Sequence, residues 1–447
     1  MAGLIQRSMV RIDLMKPRIF NPTRREVLVG LGASAAGLVT GGATSAATAQ
    51  LALQARPATL ALRPGQPATP IWELAALSHI GDVRLKRGDR CEVVFRNDLP
   101  VPLAPVWHGL NAAAAADPLR GRAPTAPDAT EISIISIPNA GTLLADFRLF
   151  EDSLKLPARS LAVIAAESGR VAVDRDVILL IEEWRLRPDG TAIPPGRDPK
   201  DATALYTING QTSFELSASA GERLRLRFIN GSQRSVLAIK LENHEVQVMA
   251  LDGQPAEPFP ARNGALVLAP GSRADAFVDA AASAPFQLHD GKEARQVGSL
   301  TVSGRLERAP QLAPQPLPPN DLPEKLDLKG ALRFDVALGA PDAGWARPAN
   351  FSTASAPAFR ARTGRTVVLA LKNPSPVTTV FHLHGHHFRL LDKLDDGWKP
   401  YWLDTLAVEP GQTQRVAFAA TSPGRWLIES VLTDWAAPRL VRWYAVE

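Results

Sequence analysis

The chain has 447 residues, too many for one ordinary hydrophobic core, and at roughly 150 residues per domain it divides into about three. Its formal charge is +5, but residues 1–49 hold six basic and two acidic side chains and so supply +4 of it. The remainder carries 44 basic and 43 acidic residues, which gives no electrostatic reason to expect nucleic acid or an anionic membrane as partner.

The first segment reads as an export signal. Thr23, Arg24, Arg25, Glu26, Val27 and Leu28 lead into a weakly apolar, Gly/Ala-rich stretch from Val29 to Ala43, and the twin arginine points to the Tat route. Ala47, Thr48 and Ala49 then form a small, any, small cleavage pattern before Gln50. We expect a mature protein in the periplasm. No other stretch approaches about 18 uninterrupted apolar residues, so no membrane-spanning helix is expected after signal removal. The single cysteine, Cys91, excludes an intrachain disulfide and sits in an alternating run where a strand buries it as a small apolar residue.

Onward from residue 50, short runs rich in Val, Ile, Leu and Phe follow one another between Pro and Gly signals: CEVVFRND (91–98), ISIISI (132–137), AVIAAE (162–167), VILLIEEW (177–184), RLRLRFIN (223–230), ALVLAP (265–270), TVVLALKN (366–373) and QRVAFAA (414–420). Short strands bounded by turns predict an all-β protein of Greek-key sandwiches with little helix. A turn feeding a strand that ends at Asn occurs three times, in Lys86 to Leu99, Ala220 to Gly231 and Arg362 to Pro374. That repeat, spaced by roughly 130 to 140 residues, predicts three related domains. The Pro-rich run from Ala309 to Pro323 reads as an extended linker. The expected division is a signal at 1–49, domains at 50–170 and 171–308, the linker at 309–323 and a third domain at 324–447.

Phe381 to Phe388, FHLHGHHF, resembles the third-domain copper motif of laccase-like multicopper oxidases. A strand carrying His382 and His384 sends both imidazoles to one side, and neutral imidazoles are good copper ligands. Other landmarks of that family follow in order: VWHG (106–109), AGT (140–142), DRDV with EEW (174–184), INGS (229–232), LDGQP (251–255), LAPGSRADAFVD (268–279), WLDTLAVEPG (402–411) and PGRWLIES (423–430). The resemblance covers nearly all of the mature chain and implies three consecutive cupredoxin-like domains.

It also implies where copper ligands belong, and most are replaced. The first motif, usually HWHG, has Val106 and keeps His108; the second, usually ending HSH, reads Asp146, Phe147, Arg148. The third has Thr379 at its leading position and keeps His382 and His384. The fourth, usually HCH with a later His and an axial Met or Leu, reads Glu429, Ser430, Val431, then Trp435 and Leu440. A blue copper centre needs two imidazoles and a thiolate, which Thr379, Ser430 and Trp435 do not supply. A complete family set of four coppers uses ten histidines and one cysteine, and this chain has eight histidines.

Isolated His79, His244 and His289 are read as solvated or singly bonded, and His386 and His387 as structural members of their motif. The resemblance brings His108, His382 and His384 together with Asp146, Arg148 and Glu429. His108, His382 and His384 with Asp146 or Glu429 can form a mononuclear site for copper, zinc or iron. Alternatively Arg148 fills the vacated space, bonded to Asp146 and Glu429, and no cofactor is bound; this second arrangement is the expected one. The family includes copper-free, Tat-exported relatives that act as structural or binding proteins of the cell envelope. The resemblance therefore implies a non-catalytic scaffold whose partner is an unknown periplasmic or envelope protein, the alternative being a metal-dependent oxidoreductase. With only Met249 in the mature chain, copper handling by Met-rich segments is not expected. Trp72, Trp345, Trp398 and Trp402 are candidates either for packing or for an exposed binding patch.

Overall fold

The computed structural model describes residues 49–77, 82–110, 117–119, 123–305, 311–339, 344–352, 354–392 and 397–447, with the backbone of 12–13. The twin-arginine segment, its cleavage pattern up to residue 48, and His79 lie outside the described residues. Among the described residues the chain is strand and turn, helix being confined to short 3-10 turns such as Arg148–Ser153 and Pro348–Asn350.

The strands sort into six sheets, two from each third of the chain. Residues 49–166 supply a five-stranded sheet, in the order Thr130–Ser136, Arg90–Asn97, Ala49–Leu60, Thr69–Ala76, Ala158–Arg159. They also supply a four-stranded sheet: Val83–Lys86, Leu161–Ala166, Gly141–Asp146, Val106–His108. Residues 175–303 form a seven-stranded and most of a six-stranded sheet, whose outer strand Ala265–Leu268 also pairs with Ile12–Asp13. Residues 332–446 form a four-stranded sheet and a five-stranded one, the latter in the order Arg360–Ala361, Arg439–Val446, Gly424–Leu432, Thr379–Leu383, Thr405–Val408. Period-two alternation gives each facing pair its core.

The threefold repeat has a specific structural content. Asn97, Asn230 and Asn373 are fully buried at the ends of equivalent strands. Each Oδ1 accepts the backbone N–H two residues on, from Leu99, Ser232 and Ser375 respectively. Each Nδ2 donates twice: Asn97 to the carbonyls of Val101 and Thr125, Asn230 to Ser235 and Leu268, Asn373 to Val377 and Val408. A short side chain with an acceptor and two donors thus ties the strand end, the following turn and a second segment at the same point in each third of the chain.

The thirds also bury apolar side chains against one another. In Gly424–Leu432, Trp426 and Ile428 face the third domain's own core, whereas Leu427 turns into the first domain's core with Val441, Trp443 and Ala445. Leu144 and Ile164 of the first domain meet Ile178, Leu180 and Ile229 of the second. Beside them the basic strand Arg223–Asn230 is wholly buried because its arginines are paired: Arg225 to Glu167 and Asp275, Arg227 to Asp176, Asp275 and the Thr142 hydroxyl. The Pro-rich linker, described from residue 311, is extended and laced down. Asn320 exchanges two hydrogen bonds with the backbone of Ala140 and donates to Gln254 Oε1.

The four tryptophans do not form a patch. Trp72, Trp345 and Trp402 are buried in separate cores, and Trp398 packs half-buried beside Trp402.

Candidate functional site: a buried histidine and carboxylate chamber

Alternation along the strands that join the first and third domains delivers one polar chamber. In Thr379–Leu383, Phe381 and Leu383 enter the core, so His382 faces the opposite way. Its register partner is Glu429, which lies on the same side as Leu427. Val106–His108 and Gly141–Asp146 pair with each other and contribute His108 and Asp146 from the first domain. All six residues singled out from the sequence, His108, Asp146, Arg148, His382, His384 and Glu429, are buried at 5% exposure or less.

His108 and His382 approach with ring centroids 4.4 Å apart, and His382 and His384 with centroids 4.9 Å apart. His382 Nδ1 is bonded to the Thr405 hydroxyl at 2.8 Å, and burial together with His108 holds its pKa well below the usual histidine value, so it is neutral. Its Nε2 and both ring nitrogens of His108 are buried without a hydrogen-bond partner among the described residues, although His108 Nε2 lies 3.4 Å from Asp146 Oδ2.

His384 is in the opposite state. Nδ1 is 2.7 Å from Asp117 Oδ1 and Nε2 is 2.7 Å from Glu429 Oε1. Burial alone would lower its pKa, but the flanking carboxylates of Asp117 and Glu429 outweigh it and raise the ring to about 10. At neutral pH it is an imidazolium donating from both nitrogens.

Arg148 stands against Asp146, with Nε 2.6 Å from Oδ2, its backbone N–H bonded to Oδ1 and its Nη2 donating to Ser160. Arg148 was also expected to bond Glu429. Instead the two oxygens of Glu429 are taken by His384 and by Arg439 Nη1, and although burial opposes it, Arg439 holds the Glu429 carboxyl well below its usual range. Three carboxylates, Asp117, Asp146 and Glu429, therefore face three cations, His384, Arg148 and Arg439.

A second buried network supports His382 from behind. Arg273 grips Asp404 through both oxygens at 2.9 and 2.6 Å, and Asp404 accepts from the Thr405 hydroxyl that in turn meets His382. Asp252 accepts the backbone N–H groups of Arg273, Asp404 and Thr405. These residues belong to the LDGQP, LAPGSRADAF and WLDTL landmarks, whose convergence no local spacing reveals.

Asp117 and Arg439 were missed from the sequence. Arg439 was recoverable: Val431 pairs with Arg439 and Glu429 with Val441, which puts Arg439 and Glu429 diagonally on one face of a hairpin. Asp117 lies in a loop and carries no such signal.

At the positions where the family pattern puts blue copper, Thr379 Oγ1 donates to Asn373 and joins the turn network of the third repeat. Ser430 is fully buried and in register with Leu440. Trp435 is buried, donates from its indole N–H to Pro194 O at 3.1 Å, and lies beneath the Arg185 guanidinium, so a second-domain loop covers it.

Two multicopper oxidase family models match the chain, over residues 176–296 and 325–447, which together make up more than half of it. The chain belongs to the multicopper oxidase family. It is 25% identical over 414 residues to the multicopper oxidase MmcO of Mycobacterium tuberculosis, an alignment covering 77% of each chain. The crystal structure of a multi-copper oxidase from Pseudomonas thermotolerans superposes with a TM-score of 0.77 at 25% identity, covering 90% of this chain and 100% of that one. Lac15 from a marine microbial metagenome gives 0.72 at 26% identity, covering 90% and 100%. The three-sandwich architecture is thus the cupredoxin-like fold of multicopper oxidases, and the chamber lies at the junction where the family motifs meet.

Proposed function

We propose that this chain is an exported multicopper oxidase relative without a working copper set, acting in the periplasm as a non-catalytic scaffold or binding protein of the cell envelope. The observation that carries this is His384. A protonated imidazole whose two N–H groups are held by Asp117 and Glu429 offers no lone pair to a metal. His382, His384 and Glu429 do have ligand atoms within 4.8 Å of one another. A cation there would have to displace the His384 proton and repel Arg439. The blue-copper positions fit copper no better, since Thr379, Ser430, Trp435 and Leu440 provide neither thiolate nor imidazole. Without that centre nothing takes electrons from a reductant, and without the full cluster oxygen is not reduced by four electrons.

A second reading draws on both ring nitrogens of His108 and on His382 Nε2, which have no hydrogen-bond partner among the described residues and suit one copper or zinc ion supplying Lewis-acid or redox chemistry. Oxygen uptake by the mature protein after copper loading, with a phenolic reductant, separates the two readings. The scaffold reading expects no uptake beyond that of free copper. It also expects a His108→Gln/His382→Gln variant to complement a deletion strain as well as the wild type does. Turnover that disappears in that variant would establish the oxidoreductase instead.

A further inference from the structure

Three of the four most exposed large apolar side chains among the described residues, Leu77, Ile132 and Ile134 at 54%, 63% and 47% exposure, share one outer sheet face of the first domain. They are joined in register. Leu77 N–H bonds the Ala52 carbonyl, Ala52 pairs with Val94, and Val94 pairs with Ile132, so an apolar row crosses four strands and ends at Thr130–Ser136. That strand is the edge of its sheet, and no described strand pairs with its other side. Asn97 N–H bonds Ala129 O and Ile137 N–H bonds Asp89 O, so the odd-numbered residues bond inward. Thr130, Ile132, Ile134 and Ser136 therefore present their backbone groups to the open edge.

Natural edge strands are blunted by lysine, proline, a bulge, an inward-pointing charge or a covering segment. Thr-Glu-Ile-Ser-Ile-Ile-Ser has no lysine or proline, and its pairing to the inner strand runs without a register shift. Its one charge, Glu131, points to the opposite face and accepts the Thr125 hydroxyl. We propose that this edge is an interface with a second copy of the same chain, two Thr130–Ser136 strands pairing antiparallel about a twofold axis at Ser133. What selects a second copy is the strand's own symmetry. About Ser133, Ile132 falls opposite the partner copy's Ile134 and Thr130 opposite its Ser136. Four isoleucines meet in one cluster, and no charged side chain of either strand is set against its like. The row offers three large apolar side chains per copy, little beside the roughly 800 Å² per partner of a standard interface, so the pairing is weak and concentration-dependent. It is independent of the chamber.

The test is sedimentation velocity of the mature protein across a concentration series, alongside Ile132→Lys/Ile134→Lys, with circular dichroism to show that the variant is folded. The wild type is expected to shift toward dimer as concentration rises, and the double variant to stay monomeric. Register is read by oxidising an equimolar mixture of two single variants, Ile132→Cys and Ile134→Cys, in which Cys91 is buried. The mixture is expected to cross-link several-fold more than either variant alone. A wild type that is monomeric throughout overturns the proposal and leaves the face to a different partner. So does a dimer that survives the double lysine substitution, or cross-linking that is no greater in the mixture.

Discussion

Glu429 is fully enclosed, yet Arg439 and His384 occupy both its oxygens, so the carboxylate stays ionised where burial alone would neutralise it. Removing one partner of such a group leaves a buried charge without compensation. Arg439→Met is therefore expected to destabilise the protein by about 3 to 5 kcal/mol in denaturant unfolding. A double Arg439→Met/Glu429→Leu variant should recover much of that loss; equal damage from both would mean that packing, not charge, is at stake. His384 gives a pH signature. Its folded pKa of about 10 lies above the usual 6.5, so its contribution is complete below pH 6.5 and is lost as pH rises toward 10. Its size is on the order of a few kcal/mol. Wild-type stability should fall across that window, and His384→Gln should lack this component; identical slopes in the two proteins would contradict the assignment.

At the scale of elements, the repeated asparagines are the clearest case of sequence dictating structure. Asn97, Asn230 and Asn373 each satisfy backbone groups of the following turn and of a second segment packed beside it, so replacing any one by alanine strands several buried donors and acceptors. Each substitution is expected to cost about 2 to 3 kcal/mol, similar in all three domains, as measured by thermal unfolding. Gly141 marks a second constraint. Its φ of +149° is unusual for other residues, and a Cβ there would lie 2.1 Å from the Gly253 carbonyl oxygen across the interface of the first and second domains. Gly141→Ala should expose the linker and the Arg225 network to limited proteolysis while the third domain stays protected. Unchanged cleavage would show that the interface adapts.

Over the whole molecule, the strands, the three related units and the family were legible from short apolar runs, the repeated Asn and the FHLHGHHF motif, because alternation and turn chemistry are local. The chamber was half legible. His108, Asp146, Arg148, His382, His384 and Glu429 were named from motif positions, and all are buried around it. The partners were not: Asp117 arrives from a loop 267 residues before His384, and Asp252 and Arg273 of the second domain meet Asp404 only when the second and third domains are docked. Motif positions alone set Arg148 in the vacated space beside both Asp146 and Glu429. Hairpin register, which depends on where the turn falls, supplied Arg439 instead. Every carboxylate of the chamber faces a cation of the chain's own, which is why we read it as a closed structural joint.

The most direct test of that reading is elemental analysis of untagged mature protein purified from the periplasm of copper-fed cells, with visible and electron paramagnetic resonance spectra of the same sample. Copper and zinc far below one per chain and no blue absorption are expected. One or more tightly held copper ions per chain, with a paramagnetic signal lost in His108→Gln/His382→Gln, would contradict that reading and make the chamber a metal centre.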